Sequence, residues 1–256
     1  MSDILTELSG SILRVQLNRP AKKNAMTLSM YTTLADLFND AARDDQVHVV
    51  LWHSAGDAFS AGNDLEDFLH HPPGPGESPQ AHLIQALIDF DKPVVAAVQG
   101  AAIGGGTTML THCDFVYAGE SAKFQMPFIN LALVPEFGTS VSLPDRIGHL
   151  RAAELILLGQ PFNAAHAAEL GLVTRVMPDG ELLATATETA QKLAAKPAGA
   201  LQASKRLMRQ PFRERLELAA RVENEEYAVR LRSADTREAI TAFFEKRPPN
   251  FTRRPE

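Results

Sequence analysis

The feature that most constrains this chain is a repeated order: a short branched-apolar run, a glycine-rich turn, then a helix-forming stretch. The run at 47–53 passes through Gly56-Asp57 into Phe59-Ser60-Ala61-Gly62-Asn63-Asp64-Leu65. The run at 94–98 follows Pro93, reaches Gly100 and leads into Gly104-Gly105-Gly106-Thr107-Thr108. Such runs predict buried strands, and strands interleaved with helices predict an α/β core. Ahead of them, 4–8 and 12–17 flank Ser9-Gly10 as a hairpin. Over 28–42, Tyr31, Leu34, Phe38 and Ala41 recur at helical spacing. Further short strands are expected at 115–117 and 124–126, and the proline- and glycine-rich stretch 70–80 reads as an exposed mobile loop. Helices are expected at 139–147, 151–158, 164–169 and 181–195. Beyond Pro197 the pattern becomes helical without strands, over 201–209, 213–232 and 236–246. An apolar stripe there, Leu216, Ala219, Ala220 and Tyr227, contains one acid, Glu223. The expected division is a core over 1–196 and a helical region over 197–256.

A chain of 256 residues, 45% hydrophobic, has the apolar material for a full core. Its 25 basic and 31 acidic residues leave a formal net charge of −6, which argues against nucleic acid as a partner. One cysteine, Cys113, permits no internal disulfide and suits a reducing compartment. The N-terminus lacks a basic segment leading into an apolar run, and polar residues interrupt every apolar stretch before a membrane-spanning length. The expectation is a soluble cytoplasmic protein. The eight histidines show no metal-ligand spacing, so no metal is expected.

Both turns have properties that suit an anionic ligand. Small residues at Ser60, Ala61 and Gly62 let a ligand approach the main chain. Three glycines at a helix start leave backbone N–H donors unobstructed, where the helix dipole favours negative charge. The lysine of a phosphate-binding loop is missing, and the spacing differs from the dinucleotide fingerprint. Asp64 is placed to cap a helix starting at Leu65. Taken singly, each turn is a weak signal, because glycine-rich strand-to-helix turns more often serve packing.

Taken together and in order, Asn18-Arg19-Pro20-Ala21-Lys22-Lys23-Asn24-Ala25, the Phe59–Leu65 turn, Lys92-Pro93-Val94 and the Gly100–Gly106 turn resemble the crotonase (enoyl-CoA hydratase/isomerase) superfamily. Cys113-Asp114, Leu143-Pro144, Ile147-Gly148 and Gly171-Leu172-Val173 continue the resemblance over nearly the whole chain. It implies a ββα spiral core with a C-terminal helical oligomerisation region building homotrimers, often paired into hexamers. It also implies acyl-CoA substrates, with coenzyme A carried by the substrate and no separate cofactor, and no nucleic acid or membrane partner. The implied oxyanion hole falls on the backbone N–H groups of Asn63 and Gly105. Coenzyme A contacts would fall on Lys23, Ala25, Ala61, Gly62, Asp64 and Leu65, with Phe243 and Lys246 near the adenosine.

The acids then separate the possible reactions. Resembling hydratases carry two glutamates, at positions occupied here by Thr108 and Phe128. Both acids are missing, and Thr108, Phe128 and Leu133 would shape an acyl pocket instead. An acid appears at Glu136, within Leu133-Val134-Pro135-Glu136-Phe137-Gly138. This pattern resembles the Δ3,Δ2-enoyl-CoA isomerase branch, in which one carboxylate moves a proton from C2 to C4. Other superfamily reactions, hydration or hydrolysis, and a non-catalytic CoA-ester binder remain the alternatives.

Overall fold

The computed structural model describes residues 2–70 and 78–251. In chain order its strands are β1 (Ile4–Ser9), β2 (Ile12–Leu17), β3 (Val49–Ser54), β4 (Val94–Val98), β5 (Ala101–Ile103), β6 (Phe115–Gly119), β7 (Lys123–Gln125), β8 (Phe162–Asn163) and β9 (Arg175–Met177). The helices are α1 (Leu28–Arg43), α2 (Leu65–His70), α3 (Pro79–Asp89), α4 (Gly105–Thr108), α5 (Thr139–Ile147), α6 (His149–Leu158), α7 (Ala164–Glu169), α8 (Asp179–Ala194), α9 (Ala198–Leu231) and α10 (Ala234–Phe244).

The first two strands form the expected hairpin, Ile4 opposite Leu17. From β2 onward every pairing in the main sheet is parallel, in the order β1-β2-β3-β4-β6-β9. Parallel strands covered on both faces need apolar residues in both orientations, and β3 supplies them. Val50 and Trp52 join the main core beside Phe38 and Phe59, whereas Val49 and Leu51 pack with Leu182, Ala186 and Ala190 of α8 on the other face.

The spiral arises because each parallel strand is followed by a brief excursion into a second layer and then by a helix. After β2, Met26 bridges Asn63 and α1 begins; after β3, Ser60 bridges Ala102 and α2 begins. After β4 comes β5 and then α4; after β6 comes β7, which pairs with β5 and β8. The second layer therefore stacks the turns that the sequence marks as special directly against one another.

Two expectations change. Residues 71–77 of the anticipated mobile loop lie outside the described residues. The end of that stretch is helical, because Ser78 caps α3 by accepting from the Ala81 N–H and Pro79 occupies its first turn. The two helices expected at 201–209 and 213–232 are one, α9, which runs through Pro211. Pro211 is exposed, so the carbonyl it leaves without an amide partner is accessible to water. Anchors flank it on both sides: Arg209 donates to Leu87 and Phe90 carbonyls, and Arg213 pairs with Asp89. Among the described residues no helix is long and apolar enough to cross a membrane.

Candidate active site

The two glycine turns meet through backbone hydrogen bonds. The Met26 N–H donates to Gly62 O (2.7 Å) and the Asp64 N–H to Met26 O (2.8 Å). This parallel bridge uses the groups either side of Asn63, so the N–H of Asn63 itself faces away from it. The Ser60 N–H donates to Ala101 O and the Ile103 N–H to Ser60 O, both at 2.9 Å, fastening one turn to the other. Contact this close needs glycine at 62, where φ is +85° and a Cβ would lie 2.6 Å from Ile103 O. Gly105 opens α4 as its first residue, so its N–H has no place in the helical ladder. Among the described residues, neither the Asn63 nor the Gly105 N–H has a protein acceptor. Both residues line a cavity of about 530 Å³.

Beside these donors sits a buried polar cluster. A Cβ on Gly105 would lie 2.9 Å from Glu136 Oε1, 2.9 Å from the Tyr31 hydroxyl and 3.7 Å from Asn63 Oδ1. The empty volume over this glycine is therefore bounded by a carboxyl, a phenol and a carboxamide. Glu136 is only 3% exposed, and its Oε1 has no hydrogen-bond partner. Burial pushes its carboxyl up to about 8, the nearby Glu223 carboxylate adds to the rise, and the Asn63 side chain opposes it. The Tyr31 hydroxyl donates to Asn63 Oδ1 (2.5 Å), and Asn63 Nδ2 donates to the Tyr227 oxygen (3.0 Å). Burial first, and then Glu136, raise both tyrosines well above the usual phenol value, so both stay protonated.

The Glu136 turn is fixed from behind. Phe137 is fully buried in the left-handed region, with φ +63°. Its carbonyl accepts from His112 Nε2 at 2.9 Å. Burial and the neighbouring Arg209 lower His112 to about 3, so the ring is neutral and Nε2 carries its hydrogen. The Glu223 carboxylate accepts from the Gly138 N–H (2.6 Å) and the Ser140 N–H (2.7 Å).

The cavity brings together most of the residues singled out from sequence. Ala25, Ala61, Gly62, Asp64, Leu65, Phe128, Leu133 and Phe243 line it, along with Lys22, Tyr227 and Arg247. Asp64 caps α2, its Oδ1 accepting from the Glu66 and Asp67 N–H groups, and its Oδ2 binds Arg19 (2.7 Å). Lys23 is turned onto Asp57, leaving Lys22 as the lysine at the cavity. Lys246 follows α10 with φ +53° and is not among the lining residues. Thr108, expected in the acyl pocket, is fully buried and not among the lining residues, and its hydroxyl donates back to Gly104 O (3.3 Å). Glu136, whose Oε1 lies beside Gly105, is not among the lining residues.

A family model described as enoyl-CoA hydratase/isomerase matches residues 7–254. The chain belongs to the enoyl-CoA hydratase/isomerase family. Family members similar to it carry different activities. The 1,2-epoxyphenylacetyl-CoA isomerase of Escherichia coli is 36% identical over 98% of this chain and 99% of that protein. The 2,3-dehydroadipyl-CoA hydratase of the same organism is 32% identical over 98% and 99%. Enoyl-CoA delta isomerase 2 of Rattus norvegicus is 34% identical over 96% of this chain and 64% of that protein. Among solved structures, an enoyl-CoA hydratase/isomerase from Pseudoalteromonas atlantica superposes with a TM-score of 0.94 at 39% identity, covering 98% and 100% of the two chains. Pseudomonas aeruginosa OdaA gives 0.92 at 43% identity, covering 95% and 99%. The family's crotonase fold is thus the fold of this chain.

Tyr31, Tyr227, Glu223 and His112 escaped sequence reasoning as site residues. The first three sit in apolar helical stripes, where they look like core. The available signal was the polar tip each carries in an otherwise apolar row.

Proposed function

We propose that this enzyme is a Δ3,Δ2-enoyl-CoA isomerase, with Glu136 as its single acid/base and the Asn63 and Gly105 N–H groups as its oxyanion hole. The observation that carries the reading is the buried, half-unpartnered Glu136 carboxyl over Gly105. Its carboxylate takes a proton from C2 of a 3-enoyl thioester. The resulting charge spreads through the dienolate onto the thioester oxygen, where two preorganised donors receive it. The same carboxyl returns the proton at C4, leaving the double bond between C2 and C3. A carboxyl pushed up to about 8 suits both halves, because it is basic enough to accept the proton and acidic enough to return it.

Hydration would need a second carboxylate to orient water. Glu223 spends both oxygens on backbone N–H groups, and Asp64 is held by Arg19 and its helix cap. Thr108 bonds back to its own helix, and Phe128 makes an apolar wall. Coenzyme A would lie along Ala25, Ala61, Gly62, Asp64 and Leu65, with Phe243 against the adenosine and Lys22, rather than Lys23, as the lysine beside it. Exposed Leu150, Leu157 and Leu158 on α6 support association into the expected homotrimer or a hexamer, to be checked by light scattering.

The test is 3-hexenoyl-CoA conversion, followed by the ultraviolet absorbance of the conjugated product. Glu136→Gln should lower turnover by ~10³-fold or more. Faster hydration of 2-hexenoyl-CoA than isomerisation of 3-hexenoyl-CoA would reject the assignment, as would a folded Glu136→Gln variant with full activity.

A further inference from the structure

The acid/base and the backbone donors sit on separate loops, far apart in the chain, yet one helix touches both. Glu223 of α9 holds the turn just after Glu136 by accepting from the Gly138 and Ser140 N–H groups. Four residues on, Tyr227 of the same helix accepts from Asn63 Nδ2, and Tyr31 of α1 grips the other end of that amide. Residues four apart lie on one helix face about 6 Å from each other. The helix thus works as a ruler with one mark on each loop. We propose that Glu223 and Tyr227 are positioning residues, a two-point brace on α9 that sets the distance from the Glu136 carboxyl to the Asn63 and Gly105 donors. This inference rests on the reading of Glu136 as the acid/base.

Two features make the brace stiff. Both residues are buried, Glu223 at 5% and Tyr227 at 6% exposure, so water does not compete for their hydrogen bonds. Burial raises the Glu223 carboxyl above its ordinary value, and the backbone hydrogens that both its oxygens accept at short range oppose that rise and favour the ionised form. Its charge faces Glu136, and the Tyr31 and Tyr227 phenols and the Asn63 amide are the other polar groups around that carboxyl. Glu223 therefore has two separable effects, one geometric and one electrostatic. Proton transfer is steeply sensitive to placement, whereas the coenzyme A contacts proposed above include neither Glu223 nor Tyr227, so a loosened brace should lower kcat far more than it changes KM.

The full-length protein is compared with Glu223→Gln, Glu223→Asp, Tyr227→Phe and, as reference, Glu136→Gln. Two probes are used: 3-hexenoyl-CoA isomerisation, and exchange of the C2 hydrogens of hexanoyl-CoA in deuterated water. Glu223→Gln should lower kcat ~10–100-fold with KM within about twofold, and should move the acid limb of the rate profile to lower pH because a like charge is gone. Glu223→Asp keeps the charge, so the limb stays while kcat falls, because the shorter side chain cannot reach both N–H groups. Tyr227→Phe should lower kcat with the limb in place. Should Glu223→Gln fail to fold, Glu223→Asp and Tyr227→Phe carry the test. Lower melting temperatures with wild-type kcat, KM and limb in the folded variants would mean a merely structural role and overturn the brace. If Glu136→Gln is inactive while the α9 variants turn over like wild type, the brace alone fails. If Glu136→Gln keeps full turnover, the acid/base reading fails and takes the brace with it.

Discussion

Replacing Glu136 by glutamine removes a buried proton whose binding differs strongly between the folded and unfolded chain. The carboxyl moves from an ordinary 4.5 to about 8 on folding. Across that interval the folded protein keeps the proton and the unfolded chain has lost it, so folding stability falls as pH rises. This contribution is fully present below pH 4.5, declines through the interval and is flat above about 8. The full interval corresponds to about 5 kcal/mol, and relaxation around a buried charge lowers the realised figure to roughly 2–5 kcal/mol. Glutamine is neutral throughout and lacks this slope. Urea unfolding of both proteins from pH 5 to 9 should show wild-type stability, relative to Glu136→Gln, falling by that amount before levelling off. The same proton governs catalysis: wild-type kcat/KM should climb about tenfold per pH unit and flatten near pH 8. A stability difference that stays flat across the range, or an acid limb near pH 5, would show that Glu136 ionises like an exposed acid. The proposed chemistry would then lose its base.

Three further outcomes test other parts of the site and its support. Gly105→Ala puts a methyl group 2.9 Å from both Glu136 Oε1 and the Tyr31 hydroxyl, and should lower kcat by ~10²-fold or more with a stability loss of about 1–3 kcal/mol; a wild-type kcat would place the reacting atoms elsewhere. Phe243→Ala, at the cavity mouth, should raise KM for acyl-CoA several-fold at unchanged kcat, and an unaltered KM would remove Phe243 from the coenzyme site. Lys205 is 3% exposed and donates to Asp114 Oδ2 and Lys92 O, each at 2.7 Å. Lys205→Met should therefore cost about 3 kcal/mol in chemical denaturation, and a loss below ~1 kcal/mol would mean that water reaches Asp114 freely.

The elements read most accurately are those with strong punctuation. Helix α5 starts after Gly138 and α7 after Asn163, whose side chain accepts from the His166 N–H, and both match their expected bounds. Helix α3 is masked in the sequence by a neighbouring stretch dense in proline and glycine, although Ser78-Pro79 is itself a helix start and Leu83, Ile84, Leu87 and Ile88 give the helical period. Helix α9 reads from sequence as two helices because proline disfavours a helix interior, whereas the fold carries it through Pro211 with Arg209 and Arg213 anchored on either side. Strand β5 is three residues long, too short to show a period, and exists because β7 on one side and Ser60 on the other pair with it.

The sequence alone determined the α/β order, the family, and the two turns whose small residues leave backbone N–H groups exposed. These are local properties: the absence of side chains and the spacing of apolar residues are written in consecutive positions. What surrounds those donors was decided only by the tertiary structure. Tyr31 and Tyr227 meet at Asn63 from helices at opposite ends of the chain, and Glu223 reaches the Glu136 turn across 85 positions. A polar group in an apolar helical stripe reads as core until its partner is known, and that partner comes from packing, not from sequence spacing. The high proton affinity of Glu136 has the same origin, since burial is a property of everything folded around a residue.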